Sequence, residues 1–303
     1  MSSFRDSGYD SISDYISYDE EPEGDYQILR TYKTPTQNIA LVSYNGDFLI
    51  YSNGYVMFST APDEDRYSEV IAHVPMVAAR KRKRVLIIGG GGGVTTREVL
   101  RYKDVEKVVT LDIDEEMVNF GKKLKPMVQF NNGSLNNPKV KTVIEDGRGF
   151  LEKNSAKWDV IIVDLPEPIG KFTQLSRLYS KEFYSLLKNR LEPGGAISIA
   201  CSNGDSTAEY LWSIYETLRI VGFNVQPYHN FEADDGEDWL FCLATTSNIN
   251  INNFNMLVKA KYLSTKELRE MFSLPFYYKI SKNIGNVQTD QNTVLVDITN
   301  RVF

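Results

Sequence analysis

Short apolar runs alternate with segments of helical spacing over the last two thirds of the chain. The runs predict strands at 85–88, 107–112, 140–144, 160–164, 196–200 and 224–227. Helical spacing predicts helices around 95–102, 114–124, 180–190 and 206–220, with Ser206 and Thr207 as the candidate N-cap of the last. Repeated strand–helix units of this length predict an α/β fold with a doubly wound, Rossmann-like parallel sheet. Its ligand is expected beyond the carboxyl ends of the strands.

The first quarter of the chain has a different pattern. Asn-Gly pairs at 45–46 and 53–54 interrupt apolar and aromatic runs, which predicts tight antiparallel hairpins. The first 25 residues are rich in Ser, Asp, Glu and Tyr without either periodicity, which predicts a mobile acidic tail. We therefore expect an acidic flexible tail over 1–25, a β-hairpin domain over 26–78, and a catalytic domain with a C-terminal extension over 79–303.

Composition narrows the class of protein. A chain of 303 residues that is 42% hydrophobic can bury a sizeable core. A net charge of −6 argues against a general nucleic-acid surface and favours a cationic partner. Cys201 and Cys242 lie in apolar runs, so we expect buried free thiols. Two histidines and two cysteines do not make a typical zinc site, and no metal is expected.

Targeting signals are not apparent in the sequence. No apolar run reaches the ~18 residues that a membrane-spanning helix needs, and the N-terminus is acidic. These features predict neither a span nor a signal peptide. We expect a cytoplasmic protein without a membrane partner.

Five consecutive glycines, Gly89–Gly93, join a predicted strand to a predicted helix. A dinucleotide fingerprint would need its third glycine at position 94, 95 or 96, where the chain has Val94, Thr95 and Thr96. The Lys of a phosphate-binding Walker loop is missing as well. A tight turn without a ligand remains an alternative. Because each glycine costs roughly 0.5–1 kcal/mol relative to alanine, a bound group explains the run better.

Acidic residues follow the next two predicted strands. Asp112 lies 21 residues after Gly91, where a carboxylate can accept hydrogen bonds from ribose hydroxyls. Asp146, followed by Gly147, can reach an adenine amino group. The glycine turn and the two acids, in this order, predict a site for an adenosyl sulfonium. For Asp112 alone, a helix-capping or solvated role is an equally good interpretation.

The fourth predicted strand of the sheet ends in two carboxylates. Asp164 and Glu167 lie three residues apart in a loop that contains Pro166 and Pro168. Prolines restrict the direction of the loop, so both acids can face one pocket. Neighbouring carboxylates repel each other unless a cation lies between them, as a polyamine ammonium would. The alternative is an acidic surface turn.

In these motifs the sequence resembles the spermidine synthase (polyamine aminopropyltransferase) family over nearly its whole length, and most closely the soluble part of its bacterial membrane-fused members. The resembling segments are 34–37, the gate-like 63–69, the glycines with 97–100, 112–115, 146–147, 164–168, 259–265 and 291–296.

The resemblance implies a reaction and a set of residues. A neutral amine attacks the CH₂ beside the sulfonium of decarboxylated S-adenosylmethionine and expels methylthioadenosine. The implied catalytic residues are Asp164 and Tyr67, and Tyr67 also positions the amine together with Glu167, Tyr228 and Trp239. The implied cofactor-binding residues are Gln37, Gly89, Gly91, Gly92, Asp112, Asp146 and Gly147. For Tyr67, Tyr228 and Trp239, plain core packing remains an alternative.

The sequence departs from the family pattern at several places. Gly92 stands where the family has an Asp that binds the amino group of the decarboxylated cofactor, Ser68 replaces the gate His or Gln, and Glu167 replaces an Asp. Losing an anion at 92 makes intact S-adenosylmethionine more acceptable as donor. The alternatives are therefore a 3-amino-3-carboxypropyl transferase, a methyltransferase, or a binding relative without catalysis. The expected partner is a small cationic amine, and the family implies a homodimer or homotetramer.

Overall fold

The computed structural model describes residues 12–203, 208–231, 238–280 and 284–302. The chain divides into two compact units, Met1–Ala61 and Pro62–Phe303. We expected the boundary after residue 78. It falls earlier because 62–78 form a helix that packs on the sheet of the second unit.

The first unit is a four-stranded antiparallel sheet with its strands in chain order. The strands are β1 (Tyr26–Lys33), β2 (Asn38–Tyr44), β3 (Asp47–Ser52) and β4 (Tyr55–Ser59). Both Asn-Gly pairs form two-residue turns in which each residue has a positive φ. Asn and Gly tolerate this conformation better than other residues, which is why the hairpins were predictable.

The prediction of a mobile tail is wrong for residues 12–25. Tyr15 and Ile16 are buried against Ala40, Val42 and Tyr51, and Ile16 forms a β-bridge with Gly54. Two apolar side chains in an otherwise polar segment are enough to hold it on the sheet, and average composition conceals them. Residues 1–11 lie outside the described part of the chain.

The second unit contains a seven-stranded sheet in the order β10-β11-β9-β8-β5-β6-β7. The strands are β5 (Arg84–Gly89), β6 (Lys107–Asp112), β7 (Val140–Ile144), β8 (Trp158–Asp164), β9 (Leu191–Asn203), β10 (Asn224–Phe231) and β11 (Asp238–Thr245). β5 to β9 are parallel, and β11 runs antiparallel to both β9 and β10. The Rossmann-like fold class is thereby confirmed, although β11 was not predicted.

Helices cover both faces of this sheet. They are α1 (Pro62–Ala78), α2 (Val94–Val99), α3 (Glu115–Lys123), α4 (Lys125–Phe130), α5 (Gly147–Lys153), α6 (Lys181–Arg190), α7 (Ala208–Ile220), α8 (Thr265–Glu270), α9 (Phe276–Ile280) and α10 (Val294–Val302). The expected N-cap at 206–207 lies outside the described residues. No helix in the described part of the chain is long and apolar enough to cross a membrane.

Two cores lie on opposite faces of the sheet, because strand side chains alternate between faces. In β5, Leu86 and Ile88 enter one core, whereas Val85 and Ile87 enter the other. A strand buried on both faces is apolar throughout, as the sequence of β5 showed. Cys201 and Cys242 are buried and free, as expected.

The strand order reverses direction between β5 and β8. The chain passes from β5 to β6 and β7 on one side, and then returns to β8 on the other side. Gly89 at the end of β5 pairs with Asp164 at the end of β8. In open α/β sheets, ligands bind at this switch point, so the glycine turn and the acidic loop meet where a ligand is expected.

Helix α1 is fastened to the C-terminal part of the chain by one buried carboxylate. Glu69 is 1% exposed, and its two oxygens accept hydrogen bonds from three consecutive backbone N–H groups, those of Lys261, Tyr262 and Leu263. The three donors neutralise the charge that burial would otherwise penalise. This contact fixes α1 against the segment that precedes α8.

We predict that Glu69→Gln lowers the free energy of unfolding by about 2–3 kcal/mol, because an amide nitrogen cannot accept the two bonds made by Tyr262 and Leu263. Urea denaturation measures this change. The matched control is Glu106→Gln, which removes an exposed carboxylate paired with Lys83 and is expected within about 0.5 kcal/mol of the wild type. Equal stabilities of the two variants would contradict the anchoring role.

Candidate active site

The glycine run makes a turn that disfavours a side chain at four of its five positions, Gly89, Gly90, Gly91 and Gly93. Gly89, Gly90 and Gly93 have φ values of 90°, 77° and 82°, in the left-handed region that side chains disfavour. A Cβ on Gly89 would lie 1.8 Å from the backbone oxygen of Asp164. A Cβ on Gly91 would lie 2.4 Å from Oδ2 of Asp112. The run thus lets a strand end and a carboxylate approach the backbone closely.

Asp112 closes this turn from the end of β6. Its Oδ2 accepts from the N–H of Gly91 at 2.9 Å, and its Oδ1 accepts from the N–H of Asp114 at 2.9 Å. Burial raises the pKa of Asp112 to about 6, against the lowering effect of these two hydrogen bonds. The cap of α3 is Asp114, which accepts from the N–H groups of Glu116 and Met117. The capping alternative therefore applies to Asp114, and the role of Asp112 toward a cofactor stays a prediction.

Asp164 is held by two hydroxyl groups from two helices. Tyr67 in α1 donates to Oδ1 at 2.9 Å, and Thr95 in α2 donates to Oδ2 at 2.7 Å. Burial raises the pKa of Asp164, and the two hydrogen bonds oppose the rise. Thr95 was not among the residues predicted from the sequence. Its position in the first turn of the helix after the glycines could have identified it as a residue close to the ligand.

Tyr67 lies in an aromatic group with Trp239 and Phe241. Its ring meets Trp239 edge-on at 5.3 Å between centroids and lies 5.5 Å from Phe241. Burial and the charge of Asp164 raise the pKa of Tyr67 well above its usual value, so the hydroxyl stays protonated and acts as a donor. Trp239 is partly exposed beside it.

Tyr228 belongs to the core. It has no exposed surface, it stacks on Phe241 at 5.1 Å, and its hydroxyl lies 2.7 Å from Oγ of Ser198. An amine therefore has no access to it, and the core-packing alternative applies. Tyr228 packs against Phe241 and does not line the proposed substrate site.

The loop that carries Glu167 is held by the hydroxyl group of Tyr179. Tyr179 donates to the backbone oxygens of Leu165 and Pro166 at 2.9 and 3.2 Å. Burial raises the pKa of Glu167, and its charge in turn contributes to the raised pKa of Tyr179. The loop thus presents a desolvated carboxyl three residues after Asp164.

Three further residues that were predicted to bind the cofactor have a role in the fold itself. Asp146 caps α5 by accepting from the N–H of Gly149 at 2.8 Å, and a Cβ on Gly147 would lie 2.6 Å from Cγ2 of Ile88. Gly92 is partly exposed, and its carbonyl oxygen accepts from Asn131 at 2.7 Å.

Gln37 belongs to the first unit, where Ser52 donates to its side-chain oxygen. Its role toward a cofactor stays a prediction, as do those of Asp146, Gly147 and Gly92.

No role was predicted for Glu64 from the sequence, although it lies close enough to Asp164 for the charge of Asp164 to raise its pKa. It precedes Tyr67 and Ser68 by one helical turn of α1, and Ser68 donates to its Oε1 at 3.3 Å. Burial, together with the charges of Asp164 and Asp63, raises the pKa of Glu64 to about 8, while Ser68 and Arg97 oppose the rise. The spacing of three residues from Tyr67 was the signal in the sequence.

A buried polar cluster lies elsewhere on α1. Glu69, His73 and Glu98 have ligand-type atoms within 4.8 Å of one another. The carboxylate of Glu98 already receives the guanidinium groups of Arg97 and Arg101. Two guanidinium groups supply the positive charge that a metal ion would bring, so the donor set forms an ion-pair network and does not suit a metal.

The pKa of Glu64 gives a testable prediction for the ligand-free protein. Its folded value of about 8 exceeds the ordinary value of 4.5, so its contribution to stability is present below pH 4.5 and is lost as the pH rises to about 8. Glu64→Gln removes this loss. We predict that its melting temperature rises relative to the wild type between pH 5 and pH 8, as followed by thermal unfolding.

The control for this experiment is Glu106→Gln, whose difference from the wild type is expected to stay constant over the same pH range. A Glu64→Gln difference that does not change with pH would contradict the burial of Glu64 beside Asp164.

Comparison with known proteins gives one consistent result. Residues 64–247 match the model of the spermine/spermidine synthase domain. A polyamine aminopropyltransferase of Oceanobacillus iheyensis is 31% identical over 88% of this chain and 51% of its own length. One of Saccharolobus islandicus is 37% identical over 69% of each chain.

Solved structures agree with these relatives. A spermidine synthase in complex with the transition-state analogue AdoDATO has a TM-score of 0.75 and 25% identity, over 85% of this chain and 88% of the other. The Thermotoga maritima spermidine synthase also has a TM-score of 0.75, with 26% identity over the same shares. The chain spans about half the length of two of its curated relatives, 51% and 54%. It belongs to the spermine/spermidine synthase family.

Proposed function

We propose that this protein is an aminopropyltransferase of polyamine synthesis. It transfers a 3-aminopropyl group from decarboxylated S-adenosylmethionine to an amine and releases methylthioadenosine. The relatives named polyamine aminopropyltransferase support the activity, and the spermidine synthase bound to AdoDATO supports the donor. The observation that carries the proposal is the oriented carboxylate of Asp164 at the switch point of the sheet, beside the glycine turn.

The nucleoside part of the donor would bind at the glycine turn. One oxygen of Asp112 accepts from Gly91 in the turn and the other accepts from Asp114. Each carboxylate oxygen can accept more than one hydrogen bond, so ribose hydroxyls can add to these backbone donors. Gln37, Asp146 and Gly147 are the further nucleoside residues that the family pattern implies. Fixing the donor in this way supplies proximity, which is a large part of catalysis in a displacement between two bound substrates.

Asp164 would act on the attacking amine. In water, the pKa of an alkylammonium exceeds that of Asp by about six units, so the carboxylate cannot strip the ammonium efficiently beforehand. Burial narrows this gap by raising the pKa of Asp164. The fraction of the amine that is neutral supplies the attacking lone pair. As the new C–N bond forms and the C–S bond to the departing methylthioadenosine breaks, the nitrogen becomes more acidic and its proton passes to Asp164. Tyr67 and Thr95 hold both oxygens of the carboxylate in the required direction.

The rest of the amine would lie along the neighbouring side chains. Glu167 would receive the remote ammonium of a diamine, and the support for this is that its carboxyl is desolvated and would be stabilised by a cation. The edge of Trp239 against Tyr67 offers an apolar surface to the methylene chain. A homodimer or homotetramer and a cytoplasmic location stay predictions.

Product analysis tests the activity. The protein is incubated with decarboxylated S-adenosylmethionine and a panel of diamines, and in parallel with S-adenosylmethionine, and the products are identified by mass spectrometry. We expect methylthioadenosine together with an aminopropylated amine. Adenosylhomocysteine together with a methylated amine would instead make the protein a methyltransferase and overturn the proposal.

Asp164→Asn tests the role of the carboxylate. We predict a fall in kcat of about 10²–10⁴-fold, because the proton acceptor is lost, and a Kd for methylthioadenosine within about three-fold of the wild type, since the nucleoside contacts remain. Single-turnover release of methylthioadenosine and calorimetric binding measure the two quantities. Asp104→Asn, which changes an exposed carboxylate paired with Arg82, is the control and keeps full activity. Wild-type kcat in Asp164→Asn would contradict the mechanism.

A further inference from the structure

Glu64 lies beside the proposed chemistry without a part in it. We propose that Glu64 is a third carboxylate of the amine-binding region, which receives a primary alkylammonium group of a substrate on the side of Asp164 nearest α1. This inference rests on the proposed function and specifies how the site binds its cationic groups.

The geometry of α1 places Glu64 at the site. Glu64, Tyr67 and Ser68 occupy positions i, i+3 and i+4 and therefore share one face of the helix. Tyr67 on this face reaches Asp164 at 2.9 Å, and Ser68 holds Oε1 of Glu64 at 3.3 Å. The hydroxyl of Ser68 thus orients the carboxyl without neutralising it.

The charges that face Glu64 come from three elements. Asp63 on α1 and Asp164 at the end of β8 repel a negative charge on Glu64, and Arg97 on α2 attracts it. The guanidinium of Arg97 donates its hydrogen bonds to Asp65, Glu98 and the backbone oxygen of Phe130. Its attraction therefore acts on Glu64 without a direct hydrogen bond, and repulsion together with burial prevails.

This balance favours a cation next to Glu64. An ammonium beside Glu64 and Asp164 allows Glu64 to ionise, because its attraction to both carboxylates offsets their mutual repulsion and its N–H groups donate hydrogen bonds to the desolvated oxygens. Because the pKa of Glu64 is about 8 in the empty site, about nine-tenths of the molecules carry a proton on it at pH 7. A bound ammonium expels that proton. Binding and proton release are therefore coupled at this residue.

Both substrates carry such a group. An acceptor diamine has a primary ammonium at each end, and the aminopropyl tail of the donor ends in one. Intact S-adenosylmethionine has a carboxylate beside the same ammonium, which Glu64 would repel. The chemistry is shared, so the experiment must assign the source.

The test is isothermal titration calorimetry at pH 7 in two buffers of different ionisation enthalpy, which gives the protons released per ligand bound. The probes are putrescine in the presence of methylthioadenosine, decarboxylated S-adenosylmethionine alone, and S-adenosylmethionine alone. For the ligand whose ammonium lies at Glu64, we expect Glu64→Gln to release about 0.9 proton fewer than the wild type and to bind roughly ten-fold more weakly.

The control variant is Glu106→Gln, which removes an exposed carboxylate and is expected to match the wild type in both quantities. A difference confined to putrescine assigns Glu64 to the acceptor. A difference for decarboxylated S-adenosylmethionine assigns it to the donor, and intact S-adenosylmethionine is then expected to bind more weakly than the decarboxylated form.

The experiment distinguishes failure of the role of Glu64 from failure of the proposed function. If wild-type protein releases methylthioadenosine with an amine, but Glu64→Gln leaves proton release and affinity unchanged for every probe, the role of Glu64 is overturned and the proposed function stands. If the wild type binds none of the probes and releases no methylthioadenosine, the proposed function fails and this inference fails with it.

Discussion

The structure depends most on one partly buried carboxylate, that of Asp164, and on the hydroxyl groups that hold it. Tyr67, Thr95 and Asp164 belong to three different elements, and their two hydrogen bonds join α1, α2 and the end of β8 at a single point. Burial of Asp164 is costly by itself, and the two donors offset part of that cost. The same bonds fix the orientation of the carboxylate, as the proposed proton transfer from the amine requires.

The surroundings of this carboxylate follow from its position. Because β5 and β8 are neighbours at the switch point, the chain must turn away from β5 directly beside Asp164, and only glycine fits so close to its backbone. This turn also presents the N–H of Gly91 to Asp112, which lies at the end of the next strand. The proposed nucleoside site and the proposed amine site therefore share one edge of the sheet. The excess of carboxyl groups at this edge favours ligands that bring positive charge.

Most of the fold was predictable because its signals are local. The apolar strands, the Asn-Gly hairpins and the glycine run each depend on a few adjacent residues, and so do the acids at the strand ends. Three features were not predicted because they depend on contacts between distant parts of the chain or on single side chains. The sequence of α1 gave no indication that it packs on the second unit, and Tyr15 with Ile16 was hidden in a polar segment. Strand β11 pairs antiparallel between β9 and β10, outside the strand–helix repeat.

The site was predictable in its acids and much less in the side chains around them. Asp112 and Asp164 followed from their place after strands. Thr95 and Glu64 did not, because their importance arises only when α1 and α2 pack beside the end of β8. The substrate-binding role predicted for Tyr228 was wrong because strand side chains alternate between the two faces of the sheet, and Tyr228 points into the core.

A crystal structure with methylthioadenosine and a diamine tests the central claim most directly. The account predicts that one amine nitrogen lies within hydrogen-bonding distance of Asp164 and faces the sulfur of the nucleoside, while Tyr67 and Thr95 keep their bonds to the same carboxylate. A diamine bound away from Asp164, with the carboxylate still closed by its two hydroxyl groups, would contradict it.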